Sequence, residues 1–170
     1  SQFWRTIFES YGTSFPDIKT RNFYIDAFCQ WLIRSPSTVE CVVTENMFGD
    51  IISDEAAYLI GSLGMGSSGN INPKSVSLFE PIHGSAPDIA GENIANPIGA
   101  ILSLKIMFEE AFKDFYIPNL IEKAVIKALE KSRTQDLIPR SKGTHHKYKL
   151  VSCSAMGDNI TKNIKILLQN

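Results

Sequence analysis

Apolar residues recur every three to four positions in the opening stretch SQFWRTIFESYG, placing Phe3, Trp4, Ile7, Phe8 and Tyr11 on one helical stripe. A turn-rich break over 12–17 contains Ser14 and Pro16. NFYIDAFCQWLIRSP predicts a short strand, 23–25, running into a helix, with Asp26 at the junction and Pro36 just past the end. The β-branched run VECVVT, 39–44, predicts a buried strand. After a loop through Gly49, an Ile- and Ala-rich pattern predicts a helix from about Asp50 to Ile60.

Residues 61–75, GSLGMGSSGNINPKS, hold so much Gly, Ser and Asn that they predict loop. VSLFEP predicts a strand ending at Pro81, whereas IHGSAPDIAGENIANP has almost no period. NPIGAILSLKIMFEEAF predicts an amphipathic helix with Asn96 as cap and Pro97 at its first position. Leu120, Ile121, Val125 and Leu129 share a stripe that predicts a helix over 119–131. SRTQDLIPRSKGTHHKYK reads as a polar connector, 150–152 as an edge strand and 156–168 as the last helix. Strands separated by helices point to an α/β architecture. Phe3, Trp4, Phe8, Trp31, Phe108 and Phe112 are expected mostly in the core, and Glu109 and Glu110 on a solvated helix face.

Composition narrows the partners. The 170 residues suffice for one compact domain or two small lobes. A net charge of −1 gives no global attraction to nucleic acid or anionic membrane. No apolar run approaches the roughly 20 residues of a membrane span. Cys29, Cys41 and Cys153 form neither a C-x-x-C unit nor an even disulfide set, which suits a reducing compartment and predicts packing roles. With no signal-peptide pattern and no initiating Met, the opening reads as the middle of a longer chain.

Two stretches carry candidate chemistry. In TENMFGDIISDEAA, Asp50 and Asp54 lie four apart and project from one helix face, about 5–6 Å apart at Cβ. Two carboxylates so close repel unless a cation lies between them, and hard divalent ions such as Mg²⁺ or Mn²⁺ take oxygen ligands. Asp26 would supply a third oxygen. The competing reading is a solvated helix start whose acids favour the dipole. In EPIHGSAPDIAGENIANP, small residues and prolines cannot build a core but let backbone N–H groups approach a phosphate or ribose. Asp88 there would accept hydrogen bonds from a ribose diol and repel a 2′-phosphate. A structured surface loop is the alternative. No G-x-G-x-x-G follows a strand, and His145 and His146, flanked by Lys142 and Lys147, read as exposed loop.

TENMFGDIISDEA at 44–56, GSLGM at 61–65 and EPIHGSAPDIAGENIANP at 80–97 together closely resemble the metal-dependent β-decarboxylating dehydrogenases, the isocitrate/isopropylmalate dehydrogenase family. The flavour of TENMFGDI is that of the branch acting on 3-isopropylmalate. The resemblance implies the C-terminal portion of that family's two-domain α/β fold, which is not a Rossmann fold. Residues 1–60 would belong to the second, dimerising and metal-binding domain, and 61–170 to the return segment of the NAD-binding domain. Asp50 and Asp54 would ligate Mg²⁺ or Mn²⁺ from one subunit of a homodimer, and Asp26 would reach the same ion from the other. Asp26 and Asp50 would thereby be catalytic. His83, Gly84, Ser85, Ala86, Pro87, Asp88, Ile89, Ala90, Gly91, Glu92, Asn93, Ile94, Ala95 and Asn96 would hold NAD, with Asp88 on the adenosine ribose.

The implied reaction is NAD-dependent oxidative decarboxylation of a 2-hydroxy acid, 3-isopropylmalate to 4-methyl-2-oxopentanoate, in cytoplasmic leucine biosynthesis, with neither nucleic acid nor membrane as partner. The family's proton-donating Tyr, assisting Lys and substrate-gripping arginines have no match in the chain, which is roughly half a family member's length. The chain alone is therefore expected to show no turnover. NINPKS departs from the family's shorter loop after GSLGM, and AFCQWLI from a more polar pattern beside Asp26. An isocitrate, homoisocitrate or tartrate dehydrogenase, or an inactive binding or dimerising half, are the other readings.

Overall fold

The structure is a computed structural model that describes residues 2–138 and 148–169. His145 and His146 lie outside the described residues. The chain divides into two compact units, Ser1–Phe48 and Gly49–Asn170.

The first unit contains helices α1 (Gln2–Gly12) and α2 (Ile25–Arg34). The expected strand over 23–25 is absent. Tyr24 is extended (φ −76°, ψ 150°), but extended backbone becomes a strand only with a ladder partner, and the segment is held by side chains instead. Phe23 meets the buried Phe28 edge-on at 5.6 Å, and the Arg21 guanidinium lies 5.5 Å from the Phe23 ring and 5.0 Å from that of Trp31. Trp31 Nε1 donates to Thr38 Oγ1 at 2.9 Å, tying α2 to the 3₁₀ turn Pro36–Thr38 that ends it.

The buried strand expected over 39–44 is also absent. Val39 is extended, yet Val42 and Val43 are exposed, because no neighbouring strand pairs with them among the described residues. Nor is the α1 stripe core: Phe3 is 75% exposed and Trp4 46%. Periodicity shows that a face favours burial, not that anything covers it. Phe112 is likewise exposed, and Cys41 is no packing residue.

Helix α3 (Asn46–Leu59) starts four residues before the expected Asp50 and runs into the second unit. The region expected to be loop, 61–75, contains a 3₁₀ turn, Leu63–Met65, and strand β1 (Ser67–Asn70). β1 pairs antiparallel with β2 (Leu78–Pro81), in register Ser67↔Pro81 to Asn70↔Leu78. Ser and Gly are poor strand formers, but here they allow close approach. A Cβ on Gly69 would lie 3.0 Å from the Phe79 ring. One on Gly99, in α4 (Ile98–Glu110), would sit 2.7 Å from the Gly66 carbonyl oxygen.

Helices α4, α5 (Tyr116–Leu129) and α6 (Cys153–Leu168) enclose the core of this unit. Ile98, Ile121, Ala124, Val125, Met156 and Ile160 form its buried cluster. α5 begins three residues earlier than expected because Asp114 Oδ1 accepts from the Tyr116 and Ile117 amides, at 2.8 and 3.0 Å. Pro118 is tolerated in that first turn, where its missing N–H would have had no helical partner. The polar connector supplies a further strand, β3 (Ser132–Arg133), parallel to β4 (Lys149–Leu150). α6 starts at Cys153, capped by Ser152 Oγ accepting from the Ala155 amide.

Lys105 of α4 reaches Glu122 of α5 at 2.9 Å and Glu109 at 3.5 Å. The hydrogen bond to Glu122 is the main influence raising its pKa above the ordinary 10.5. Its stabilising contribution is thus complete below pH 10.5 and is lost as pH rises through the raised value. Thermal midpoints of wild type and Lys105→Met should differ slightly at neutral pH and converge in strongly alkaline buffer. Met156→Ala should lower the unfolding free energy of this unit by about 3 kcal/mol through lost burial and a cavity, read from urea titration.

Candidate functional site

The α3 acids sit differently from expectation. With the helix starting at Asn46, neither Asp50 nor Asp54 lies in the first turn, so a role as dipole-favouring acids loses its basis. Both are exposed, one turn apart on one face. Ser53 Oγ donates to the Asp50 carbonyl at 3.1 Å, a bond of the helix backbone rather than of the carboxylate. Their oxygens fit two positions of a hard divalent cation's shell. Asp26 is exposed in the first turn of α2, its Oδ1 accepting from the Ala27 amide at 2.8 Å. Among the described residues no three His, Cys, Asp or Glu side chains of one chain gather into a complete metal set.

The second stretch, 82–97, is a loop of unusual backbone. Ala86 (φ 44°), Gly91 (φ 84°) and Asn93 (φ 57°) are left-handed, and Pro87–Ile89 forms a 3₁₀ turn. A Cβ on Gly84 or Gly91 would meet nothing within 4 Å, so at these two positions the backbone faces open space. His83 Nδ1 lies 2.9 Å from the Gly84 carbonyl oxygen, which accepts from it in the Nδ1–H tautomer. Asp88 is exposed on the 3₁₀ turn.

Within this unit the loop bounds an open cavity of about 390 Å³, lined by His83, Gly84, Ser85, Ala86, Ile89, Ala90, Gly91, Asn93, Ala95 and Cys153. A larger hollow of about 630 Å³ beside the β1–β2 hairpin contains no ionisable side chain, so the loop cavity is the better candidate. Of the expected cofactor-binding run, Pro87, Asp88, Glu92, Ile94 and Asn96 do not line it.

Asn96 is buried and anchors the loop's end. Its Oδ1 accepts from the Ile98 amide at 3.0 Å, the bond expected of a cap, although the helix begins at Ile98 and Pro97 takes the N-cap position. Its Nδ2 donates to Asp136 Oδ2 at 3.0 Å. Asn93 ties the loop to α6: its carbonyl accepts from the Cys153 amide at 2.8 Å and its Oδ1 from the Ser154 amide at 2.9 Å. Asn93 Nδ2 also donates to Ser154 Oγ at 3.0 Å. Asp136, Cys153 and Ser154 were invisible to sequence reasoning, because each lies 40 or more residues from its loop partner. Only the Ser152 cap at the head of α6 was a local signal there.

The isocitrate/isopropylmalate dehydrogenase family profile matches residues 1–160. The chain belongs to that family. It is 43% identical over 161 residues to a 3-isopropylmalate dehydrogenase of Neisseria meningitidis, covering 94% of this chain and 44% of that protein. The chain thus spans somewhat under half the length of such relatives. Its fold matches an isocitrate dehydrogenase from Methylococcus capsulatus at a TM-score of 0.86 and 34% identity, over 96% of this chain and 46% of that one. A β-decarboxylating dehydrogenase from Thermococcus kodakarensis matches at 0.77 and 36%, over 99% and 46%. The fold is accordingly the C-terminal portion of the isocitrate/isopropylmalate dehydrogenase α/β fold. No described helix of this family member is long and apolar enough to cross a membrane.

Gly64 packs where the loop is anchored: a Cβ there would lie 2.7 Å from that of Asn96 and 3.1 Å from Asp136 Oδ2. Gly64→Ala should cost about 1–3 kcal/mol of stability. It should also speed hydrogen exchange at the Ile98 amide, measured by NMR.

Proposed function

We propose that the chain supplies the cation-binding acids and the NAD loop of a 3-isopropylmalate dehydrogenase. That enzyme oxidatively decarboxylates its substrate to 4-methyl-2-oxopentanoate in cytoplasmic leucine biosynthesis. The observation carrying this reading is the similarity to the Neisseria meningitidis enzyme, which runs through both the acid helix and the loop. Residues 1–60 are assigned to a dimerising, metal-binding domain and 61–170 to the return segment of the NAD-binding domain.

Asp50 and Asp54 hold Mg²⁺ or Mn²⁺ from one subunit of a homodimer, and Asp26 approaches the same ion from the other. Such an ion supplies Lewis acidity toward a 2-hydroxy acid, and NAD supplies the hydride acceptor. Asp26 and Asp50 are the residues of this chain placed beside the reacting hydroxyl. Around the nucleotide, Gly84, Ser85, Ala86 and Gly91 present backbone without bulk. Asp88 accepts from the ribose hydroxyls and repels a 2′-phosphate, favouring NAD over NADP.

The fold likeness to the Methylococcus capsulatus isocitrate dehydrogenase supports isocitrate as a second substrate reading. Joining residues 1–170 to the N-terminal half of a 3-isopropylmalate dehydrogenase, and separately to that of an isocitrate dehydrogenase, tests both. The first chimera should reduce NAD, and activity confined to the second would overturn the assignment. Asp50→Asn in the active chimera should lower kcat/KM by about 10²-fold or more. Asp50→Asn/Asp54→Asn should abolish Mn²⁺ binding followed by electron paramagnetic resonance. The 170-residue chain alone should show no turnover in a spectrophotometric NADH assay, since it carries no match to the proton donor or substrate clamp.

A further inference from the structure

The loop over 82–97 buries little of its own: among its residues only Asn96 is buried. Its three left-handed residues include Ala86, whose Cβ makes that conformation unfavourable. Such a shape is not the local preference of the chain and must be held from outside. One end is tied by the Ile82 amide donating to the Gly66 carbonyl at 3.3 Å, the other by Asn96. Between them, three hydrogen bonds to α6 pass through a single residue, Asn93.

We infer that Asn93 is the positioning residue that holds the cavity loop in its nucleotide-binding shape by clamping it to the first turn of α6. The inference rests on reading the loop as the NAD site. Cys153 and Ser154 are the first two residues of α6, so their amides have no acceptor within the helix. The main-chain and side-chain oxygens of Asn93 satisfy both, while Ser152 Oγ takes the Ala155 amide. The helix start is thereby saturated and acts as a fixed wall of the cavity, through Cys153, rather than as a receptor for phosphate.

The role makes three demands at once: a left-handed backbone, an acceptor toward the Ser154 amide and a partner for Ser154 Oγ. Asparagine meets all three. Glycine meets only the first. Aspartate keeps the backbone tendency and both side-chain contacts, since the Ser154 hydroxyl can donate to it.

The 170-residue chain, Asn93→Gly and Asn93→Asp are compared by NMR amide exchange and by calorimetric titration with NAD. Because glycine tolerates the left-handed φ, Asn93→Gly should keep its fold. Its Ser154 amide should nevertheless exchange about tenfold faster and its Kd for NAD rise about tenfold, the lower end of what its two lost side-chain hydrogen bonds are worth. Asn93→Asp should restore both values to within about twofold, a rescue that loss of general stability would not produce. If wild type binds NAD and Asn93→Gly binds it equally well, the positioning role is wrong while the nucleotide reading stands. An unchanged Ser154 exchange rate in Asn93→Gly would also overturn the role. Failure of wild type itself to bind NAD would overturn the nucleotide reading and this role with it.

Discussion

The second unit depends on the burial of Ile98 and Met156 in one cluster. Both are completely enclosed, and each stands in the first turn of its helix, Ile98 opening α4 and Met156 near the head of α6. Packing them together fixes the two helix starts that hold the loop, one through Asn96 and the other through Asn93. A loop in which only Asn96 is buried is thus anchored to a core it does not join. Side chains around the cavity are then free to be small, as close approach of a ligand to backbone requires.

The acids of α3 follow a different logic. Their spacing is set by the helix alone, since residues four apart share a face whatever surrounds them. Starting at Asn46 moves them out of the first turn, leaving the dipole little to offer. Two exposed carboxylates one turn apart offer oxygens of the kind a hard divalent cation takes.

Much of this was legible in the residues. Helices α1, α2, α4 and α6 were foreseen within a few positions, as were the capping bond of Asn96 and the strand ending at Pro81. Errors fell where partners decide. Val39 and Tyr24 are extended yet join no described strand, whereas the unpromising SSGN became β1 because LFEP lies beside it. Phe3 and Trp4, expected in the core, are exposed, since amphipathicity specifies a face and not its cover.

What the sequence determined alone was whatever a single element can encode: helix faces from apolar spacing, the pair Asp50 and Asp54 on one turn, and a small-residue loop unsuited to a core. Tertiary structure decided which distant groups meet. Asn93 finds Ser154 across 61 residues and Asn96 finds Asp136 across 40, and no local period records either pairing. Hydrogen bonds are directional over a few ångströms, so their partners are chosen only once packing has brought the helix ends together.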